Sequence, residues 1–140
     1  MPKKIVADTC FWFALFNPSD DYHDAASVIE DELSIHQLVV PWPTLYEALN
    51  TRMLRRRHEI SRFKAIVERP STVLIEDNPY RDSSLRFVLD MKRYHTYSLV
   101  DHVIRSMIED RSVKIDALIT FNAKDFYDVC TPRGVELLYG

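Results

Sequence analysis

Five polar side chains occupy positions from which they could act together on a ligand. They are Asp8, Glu47, Asp101, Asn122 and Asp125. Asp8 directly follows a short apolar run, Asn122 and Asp125 follow another, and Glu47 and Asp101 lie near the starts of helical segments. In open α/β sheets, ligands bind beyond the carboxyl ends of the strands. We therefore expect all five candidate catalytic residues to lie on one edge of a parallel sheet.

Asp8 has the most specific chemistry of the five. It ends an expected central strand, where an ionised carboxylate is costly unless it is paired or bound to a metal. Clustered carboxylates also repel, since two charges ~4 Å apart cost roughly 4 kcal/mol at an effective dielectric of 20. Oxygen ligands without Cys or His partners favour Mg²⁺ or Mn²⁺ over Zn²⁺. Such ions act with substrate phosphate and water, so the expected reaction class is phosphodiester hydrolysis.

Helix capping is the structural alternative for several of these acids. Thr44-Leu-Tyr-Glu47 and Ser98-Leu-Val-Asp101 both match the capping box, in which the third helical residue bonds back to the N-cap N–H. Asn122-Ala-Lys-Asp125 has a similar form. Capping and metal binding are compatible, because a side chain in the first turn of a helix can also face the edge of the sheet.

Composition excludes several other phosphate chemistries. The chain has 140 residues but only two glycines, Gly134 and Gly140. Dinucleotide-binding and Walker-type loops need glycines so that the backbone can approach a phosphate. The two cysteines, Cys10 and Cys130, are too few for a disulfide framework or a thiolate metal site and suit a reducing cytoplasm. A nucleophilic Cys10 paired with a histidine, His23 or His102, remains an alternative.

Basic residues are concentrated in one segment, although the net charge of the chain is −3. The segment from Arg52 to Arg69 contains seven Lys and Arg residues and only two acidic residues, Glu59 and Glu68. This local excess is typical of a solvated helical face or of a patch that meets phosphates or an acidic partner. The candidate RNA-binding residues are Arg52, Arg55, Arg56 and Arg57.

Short β-branched runs alternate with helical periodicity along the whole chain. Apolar runs predict strands at 5–7, 38–41, 72–76, 115–121 and 135–139. Helical spacing begins near Tyr22, Thr44, Asn78 and Ser98. The alternation predicts an α/β fold with a mostly parallel sheet of four to five strands, in a single domain over 1–140. No stretch approaches the ~20 apolar residues of a membrane span, so no membrane association is expected.

In this order the motifs resemble those of the PIN-domain ribonucleases, in particular the VapC-type toxins of prokaryotic toxin–antitoxin pairs. The segments that carry the resemblance are Ile5-Val-Ala-Asp8-Thr9, Phe13-Ala-Leu-Phe with Asp20-Asp-Tyr-His23-Asp-Ala, Thr44-Leu-Tyr-Glu47, Ser98-Leu-Val-Asp101-His-Val-Ile and Ala117-Leu-Ile-Thr120-Phe-Asn-Ala-Lys-Asp125-Phe126. Each motif alone is weak. Together they extend over nearly the whole chain.

The resemblance implies an α/β/α sandwich whose acids bind Mg²⁺ or Mn²⁺ and cleave RNA. Asp8 and Asp101 match the principal metal ligands, and Glu47 matches a third acid that acts directly or through water. The family's fourth acid stands two residues after the position of Thr120, where this chain has Asn122. Either three acids suffice here or Asp125 substitutes for the fourth.

The resemblance also implies partners: an RNA substrate, a VapB-like antitoxin and a second copy of the chain. The apolar run Phe11-Trp12-Phe13 offers some independent support for a buried dimer interface. The leading hypothesis is a metal-dependent endoribonuclease that acts as a cytoplasmic toxin. The alternatives are a PIN-like RNA-binding or regulatory module without catalysis, suggested by Asn122, and an interaction protein that packs only with a partner chain.

Overall fold

The computed structural model describes residues 2–92 and 97–139, in which five strands alternate with eight α-helices. The strands are β1 (Lys4–Ala7), β2 (Gln37–Pro41), β3 (Val73–Ile75), β4 (Ala117–Ile119) and β5 (Glu136–Leu138). The helices are α1 (Thr9–Phe16), α2 (His23–Leu33), α3 (Trp42–Ala48), α4 (Thr51–Leu54), α5 (Arg57–Val67), α6 (Arg81–Asp90), α7 (Leu99–Glu109) and α8 (Tyr127–Arg133). Short 3-10 turns lie at Asn78–Tyr80 and Ala123–Asp125.

All five strands are parallel and lie in the order β3-β2-β1-β4-β5. The central strand is β1, in which Ile5 is in register with Leu38 of β2 and Ala117 of β4. This arrangement confirms the predicted fold class. It also makes the carboxyl ends of β1, β2 and β4 neighbours, as a shared site at that edge requires.

The two faces of the sheet support separate hydrophobic cores. Ile5 and Ala7 point to the core formed with α1, α2, α3 and α5, whereas Val6 points to the core formed with α7 and α8. Side chains alternate between the faces of a strand, and a parallel sheet that is buried on both faces therefore reads as a continuous apolar run. The result is the expected α/β/α sandwich, with Asp8 at the end of its most buried strand.

The helix α1 does not follow from the sequence pattern. Phe11 and Trp12 are both fully buried, and Phe13 is 37% exposed. A helix buried on most of its circumference has no polar face and therefore lacks the period that identifies amphipathic helices. Because Phe11 and Trp12 pack in the core, the suggestion that this run forms a dimer interface is wrong for those two residues.

The segment that follows β2 differs from the single helix expected near Thr44. The helix α3 begins at Trp42 after the N-cap Pro41, so Thr44 lies inside the first turn and its hydroxyl donates to the Pro41 carbonyl over 2.7 Å. Proline is favoured in the first turn of a helix, which explains the earlier start. The predicted capping box of Thr44 and Glu47 is therefore wrong, and Glu47 lies near the C-terminal end of α3.

The helical path then breaks twice, first at Asn50 before the basic segment and again at Arg55 and Arg56 within it. Asn50 caps α4 by accepting a hydrogen bond from the N–H of Met53 over 3.0 Å, and α5 begins separately at Arg57.

Two further elements differ from the sequence prediction. The strand predicted at 115–121 is shorter in the structure, and α8 was not predicted. Within the part of the chain that the structure describes, no helix has the length and apolar character needed to cross a membrane.

Candidate active site

Asp8 lies at the junction of β1 and α1 and is 4% exposed. Its backbone N–H continues the sheet by donating to the Ile119 carbonyl over 2.9 Å. Its carboxylate accepts hydrogen bonds from the Thr9 N–H at 2.8 Å and from the Thr120 hydroxyl at 3.0 Å. Neighbouring parallel strands thus hold this carboxylate in one position.

The electrostatic environment of Asp8 is unfavourable to its negative charge. Burial raises the pKa of Asp8 to about 6, the negative charge of Asp101 raises it further, and the bonds from Thr120 and Thr9 partly oppose these effects. Among the described residues, no Lys, Arg or His nitrogen lies within 4.0 Å of this carboxylate. A divalent cation between Asp8 and Asp101 would relieve both the burial cost and the repulsion.

Glu47 is connected to Asp8 through Thr9. The Thr9 hydroxyl donates to Glu47 Oε1 over 2.6 Å, while the Thr9 N–H donates to Asp8. Glu47 itself is exposed on the last turn of α3. Thr9 therefore positions both carboxylates, a role that sequence analysis missed because the residue was considered only as part of the Asp8-Thr9 motif.

Asp101 has the capping role that the sequence predicted, and its metal-binding role stays a prediction. Ser98 and Asp101 form the predicted capping box at the start of α7, in which the Asp101 N–H donates to the Ser98 hydroxyl over 3.0 Å. The carboxylate accepts a longer bond of 3.4 Å from the Ser98 N–H. Burial raises the pKa of Asp101, and the negative charge of Asp125 raises it further. The hydrogen bonds with Ser98 and the positive charge of Arg105 lower it. The carboxylate of this helix cap is thus electrostatically coupled to Asp8 and Asp125.

Arg105 is a positioning residue that sequence analysis missed. Its buried guanidinium pairs with both oxygens of the Asp128 carboxylate, at 2.8 and 2.6 Å, and also donates to the Asp125 carbonyl. It lies over the Tyr97 ring, 4.3 Å from the centroid. These contacts fasten the 3-10 turn of Asp125 to α7. Arg105 lies one helical turn after Asp101, but its partner Asp128 is distant in sequence, so spacing gave no signal.

Thr120 contacts Asp8 directly, whereas Asn122, the residue predicted for the site, contacts Thr120 through its backbone. The hydroxyl of the buried Thr120 donates to Asp8 and accepts a bond from the Asn122 N–H over 3.1 Å. Asn122 is exposed. Its backbone thus fixes the orientation of the Thr120 hydroxyl, and a role for its side chain in the site stays a prediction.

Cys10 is unsuited to act as the nucleophile considered in the sequence analysis. Burial raises the pKa of the Cys10 thiol to about 12, and the negative charge of Asp8 contributes to the increase. The thiolate is the reactive form, so this thiol is inert near neutral pH. The candidate bases bond elsewhere: His23 Nδ1 lies 2.8 Å from the Ala14 carbonyl oxygen and His102 Nδ1 lies 2.8 Å from the Ser84 hydroxyl.

The structure brings the predicted acids together only in part. Asp101 is electrostatically coupled to Asp8 and Asp125, and Glu47 reaches Asp8 through Thr9. In residues 2–92 and 97–139, no group of three or more His, Cys, Asp and Glu side chains is close enough to hold a metal ion. The pair Asp8 and Asp101 nonetheless suits Mg²⁺ or Mn²⁺, which use few carboxylates and complete their shells with water and substrate phosphate.

The four candidate RNA-binding arginines do not share one environment. Arg52 and Arg56 line a cavity beside α1, together with Phe13, Asn17 and Asn50. Arg55 and Arg57 are exposed and do not line that cavity. Their role in RNA binding stays a prediction.

Comparison with known proteins identifies the fold. No protein-family model matches the sequence, and no curated protein matches it either. A solved structure that matches is VapC20 of Mycobacterium tuberculosis, described as a toxin that cleaves the sarcin–ricin loop. The match has a TM-score of 0.65 and 17% sequence identity, and it covers 91% of this chain and 94% of VapC20. The α/β/α sandwich with Asp8 at its central strand therefore has the VapC-type PIN fold.

Proposed function

We propose that this protein is a metal-dependent endoribonuclease that cleaves RNA phosphodiester bonds. The observation that carries the proposal is the buried Asp8 carboxylate at the carboxyl edge of the sheet, which is electrostatically coupled to a second acid, Asp101, and lacks a basic partner among the described residues. Such a site is costly on its own and favourable with a divalent cation. The VapC-type fold supports the same conclusion.

Each residue of the site has a distinct part in the proposed reaction. Asp8 and Asp101 would hold Mg²⁺ or Mn²⁺, and Glu47 would contribute directly or through a water molecule. The ion supplies Lewis-acid chemistry by lowering the pKa of water and stabilising the leaving oxygen. Thr120 and Thr9 keep the Asp8 carboxylate fixed. Because Glu47 is held through Oε1, its other oxygen, Oε2, would accept a proton from the attacking water.

The biological role that fits this activity is that of a toxin in a toxin–antitoxin pair. The fold shared with VapC20, itself a toxin, supports this assignment. The proposed partners are an RNA substrate in the cytoplasm, a VapB-like antitoxin and a second copy of the chain. Size measurement of the purified protein at micromolar concentration tests the dimer, which a strict monomer would contradict.

Incubation of the purified protein with labelled RNA and Mg²⁺ or Mn²⁺ tests the nuclease. We expect cleavage that a chelator abolishes and that Asp8→Asn or Asp101→Asn lowers by roughly 100-fold or more, because each change removes a proposed metal ligand. Asp31→Asn is the matched control, since Asp31 is an exposed carboxylate on α2. An intact wild type that binds RNA but does not cut it with either ion would contradict the proposal.

A PIN-like RNA-binding module without catalysis is the second candidate. Two observations favour it: the exposed, neutral Asn122 at the fourth position and the lack of a three-carboxylate group among the described residues. Under this alternative, Asp8→Asn leaves both RNA binding and cellular toxicity unchanged. Under the nuclease proposal the same variant keeps RNA binding and loses toxicity.

A further inference from the structure

A polar cavity of about 400 Å³ lies between α1 and α4, together with the residues that flank these two helices. Phe13, Asn17, Asn50, Arg52, Met53 and Arg56 line it. We infer that this cavity binds a backbone phosphate of the RNA substrate, adjacent to the phosphate that is cleaved. The inference rests on the proposed nuclease function, and it separates Arg52 and Arg56 from the other arginines of the basic segment.

The polar groups of the cavity are hydrogen-bond donors. The Asn50 side-chain oxygen accepts from the Met53 N–H at 3.0 Å, and the Asn17 oxygen accepts from the Ser19 N–H at 3.1 Å. Asn17 therefore offers a ligand its NH₂ group, whereas Asn50 offers one N–H, since its NH₂ group also donates to the Glu47 carbonyl. The guanidinium groups of Arg52 and Arg56 add further donors and positive charge. Phosphate oxygens are acceptors only, and Arg binds them with two parallel bonds.

One counter-charge borders the cavity. Glu59 Oε1 lies 3.7 Å from the guanidinium of Arg56, and both side chains are partly exposed. An ion pair of this length and exposure contributes little, at most about 1 kcal/mol. A guanidinium carries five N–H donors. Arg56 can therefore contact a phosphate while Glu59 stays beside it.

Hydrogen bonds connect the cavity to the acids. Asn50 donates to the Glu47 carbonyl over 3.0 Å, and the Glu47 carboxylate accepts from Thr9, which also bonds Asp8. Along α1, Phe13 is four residues from Thr9, a rise of about 6 Å at 1.5 Å per residue. The cavity therefore lies within reach of the phosphates that flank one bound at Asp8.

An RNA phosphate fits this position better than an acidic protein segment does. Asn50 of the cavity bonds the Glu47 carbonyl, and Glu47 is linked to Asp8 through Thr9, so the negative charges of these acids oppose a further carboxylate in this region. An RNA strand whose scissile phosphate is bound at these acids must instead continue past them, and the cavity supplies positive charge for its next phosphate. Arg55 and Arg57 are exposed to solvent outside the cavity and contribute long-range attraction.

Two double variants with the same change in charge test the inference. We compare Arg52→Gln/Arg56→Gln with Arg55→Gln/Arg57→Gln in full-length protein, using a fluorescent single-stranded RNA of mixed sequence in EDTA at several salt concentrations. We expect the cavity pair to weaken binding roughly tenfold and to lower the salt slope by roughly 0.7, the value for the one phosphate that the variant no longer neutralises. The Arg55/Arg57 pair, which does not line the cavity, changes both quantities much less.

A second, independent variant tests the cavity if the double arginine variant does not fold. Asn17→Asp keeps the oxygen that accepts from Ser19 but places a negative charge in the cavity, so we expect it also to weaken RNA binding several-fold. Asn78→Asp adds the same charge at an exposed position in the 3-10 turn before α6 and serves as its control. Equal effects of each variant and its control would overturn the inference.

Two further outcomes separate this inference from its alternatives. A Glu-rich peptide is also tested for binding to the Arg52→Gln/Arg56→Gln variant and to the wild type. If the peptide binds the variant more weakly than the wild type while RNA binds both equally, the cavity binds an acidic protein segment and the inference is wrong. If the cavity variants bind RNA more weakly than the wild type, and the wild type does not cleave RNA in Mg²⁺ or Mn²⁺, the result supports the phosphate site and contradicts the nuclease. Normal cleavage and RNA binding by the cavity variants contradict the phosphate site and leave the nuclease intact.

Discussion

The buried carboxyl group of Asp8 keeps its proton to a higher pH than an ordinary aspartate, because burial and the charge of Asp101 disfavour the ionised form. In the metal-free protein the unfolded chain loses this proton near pH 3.8, whereas the folded chain loses it near pH 6. Between these values the folded state binds more protons than the unfolded state. The free energy of unfolding therefore falls as the pH rises from about 4 to 6.

Asp8→Asn should remove this loss of stability. The difference between the two pKa values corresponds to roughly 3 kcal/mol, and an asparagine can still accept from Thr9 while donating to Thr120. Urea unfolding at several pH values in EDTA measures the effect. We expect the variant to be more stable than the wild type at pH 7 and about equal to it at pH 4. A parallel pH dependence of the two proteins would contradict this assignment.

At the scale of single elements, the start of α7 has both a folding role and a site role. Ser98 satisfies the Asp101 N–H, and Asp101 bonds back to the Ser98 N–H. Ser98→Ala should lower the free energy of unfolding by about 1 kcal/mol, because one N-terminal N–H loses its acceptor. Denaturant titration checks this value. Ser34→Ala at the end of α2 is the control and should change stability by much less.

Arg105 links α7 to the turn that carries Asp125, and its charge also lowers the pKa of Asp101. Arg105→Met keeps much of the side-chain packing and removes the charge. We expect a loss of about 1–3 kcal/mol of stability, because the hydrogen bonds to Asp125 and Asp128 are removed, and an increase in the pKa of Asp101. An NMR titration of the Asp101 carboxyl group in metal-free protein measures the second effect. An unchanged or lower Asp101 pKa would show that Arg105 acts on the fold alone.

The elements also show which parts of the site can be predicted from sequence. The parallel strand order, which places the carboxyl ends of β1, β2 and β4 side by side, can be predicted from sequence, and the topology confirms it. The assignment of Asp8, Glu47 and Asp101 to one site at that edge stays a prediction. The helix α1 was missed because its residues are buried on most sides, and the break at Asn50 was missed because a single cap ended an otherwise regular apolar stripe. The Arg105–Asp128 pair joins distant parts of the chain, and local spacing carries no information about it.

At the scale of the whole molecule, a bound cation would join elements from opposite ends of the chain. Asp8 follows β1 and Asp101 begins α7, so an ion shared by them binds only the folded state. Mn²⁺ at 100 times its Kd should then stabilise the protein by about 2.7 kcal/mol and raise its melting temperature by several degrees. Thermal unfolding with and without Mn²⁺ checks this. Asp101→Asn should abolish the shift, whereas Asp31→Asn should retain it.

The pairing of β1 with β4 determines when the site exists during synthesis. The bond from Thr120 to Asp8 joins residues 112 positions apart. A ribosome adds about 5–20 residues per second, so Asp8 waits on the order of 10 s for its partner strand. During that interval the nascent chain carries Asp8 without the hydroxyl that fixes its carboxylate. The proposed nuclease site therefore becomes complete only after Thr120 has been synthesised.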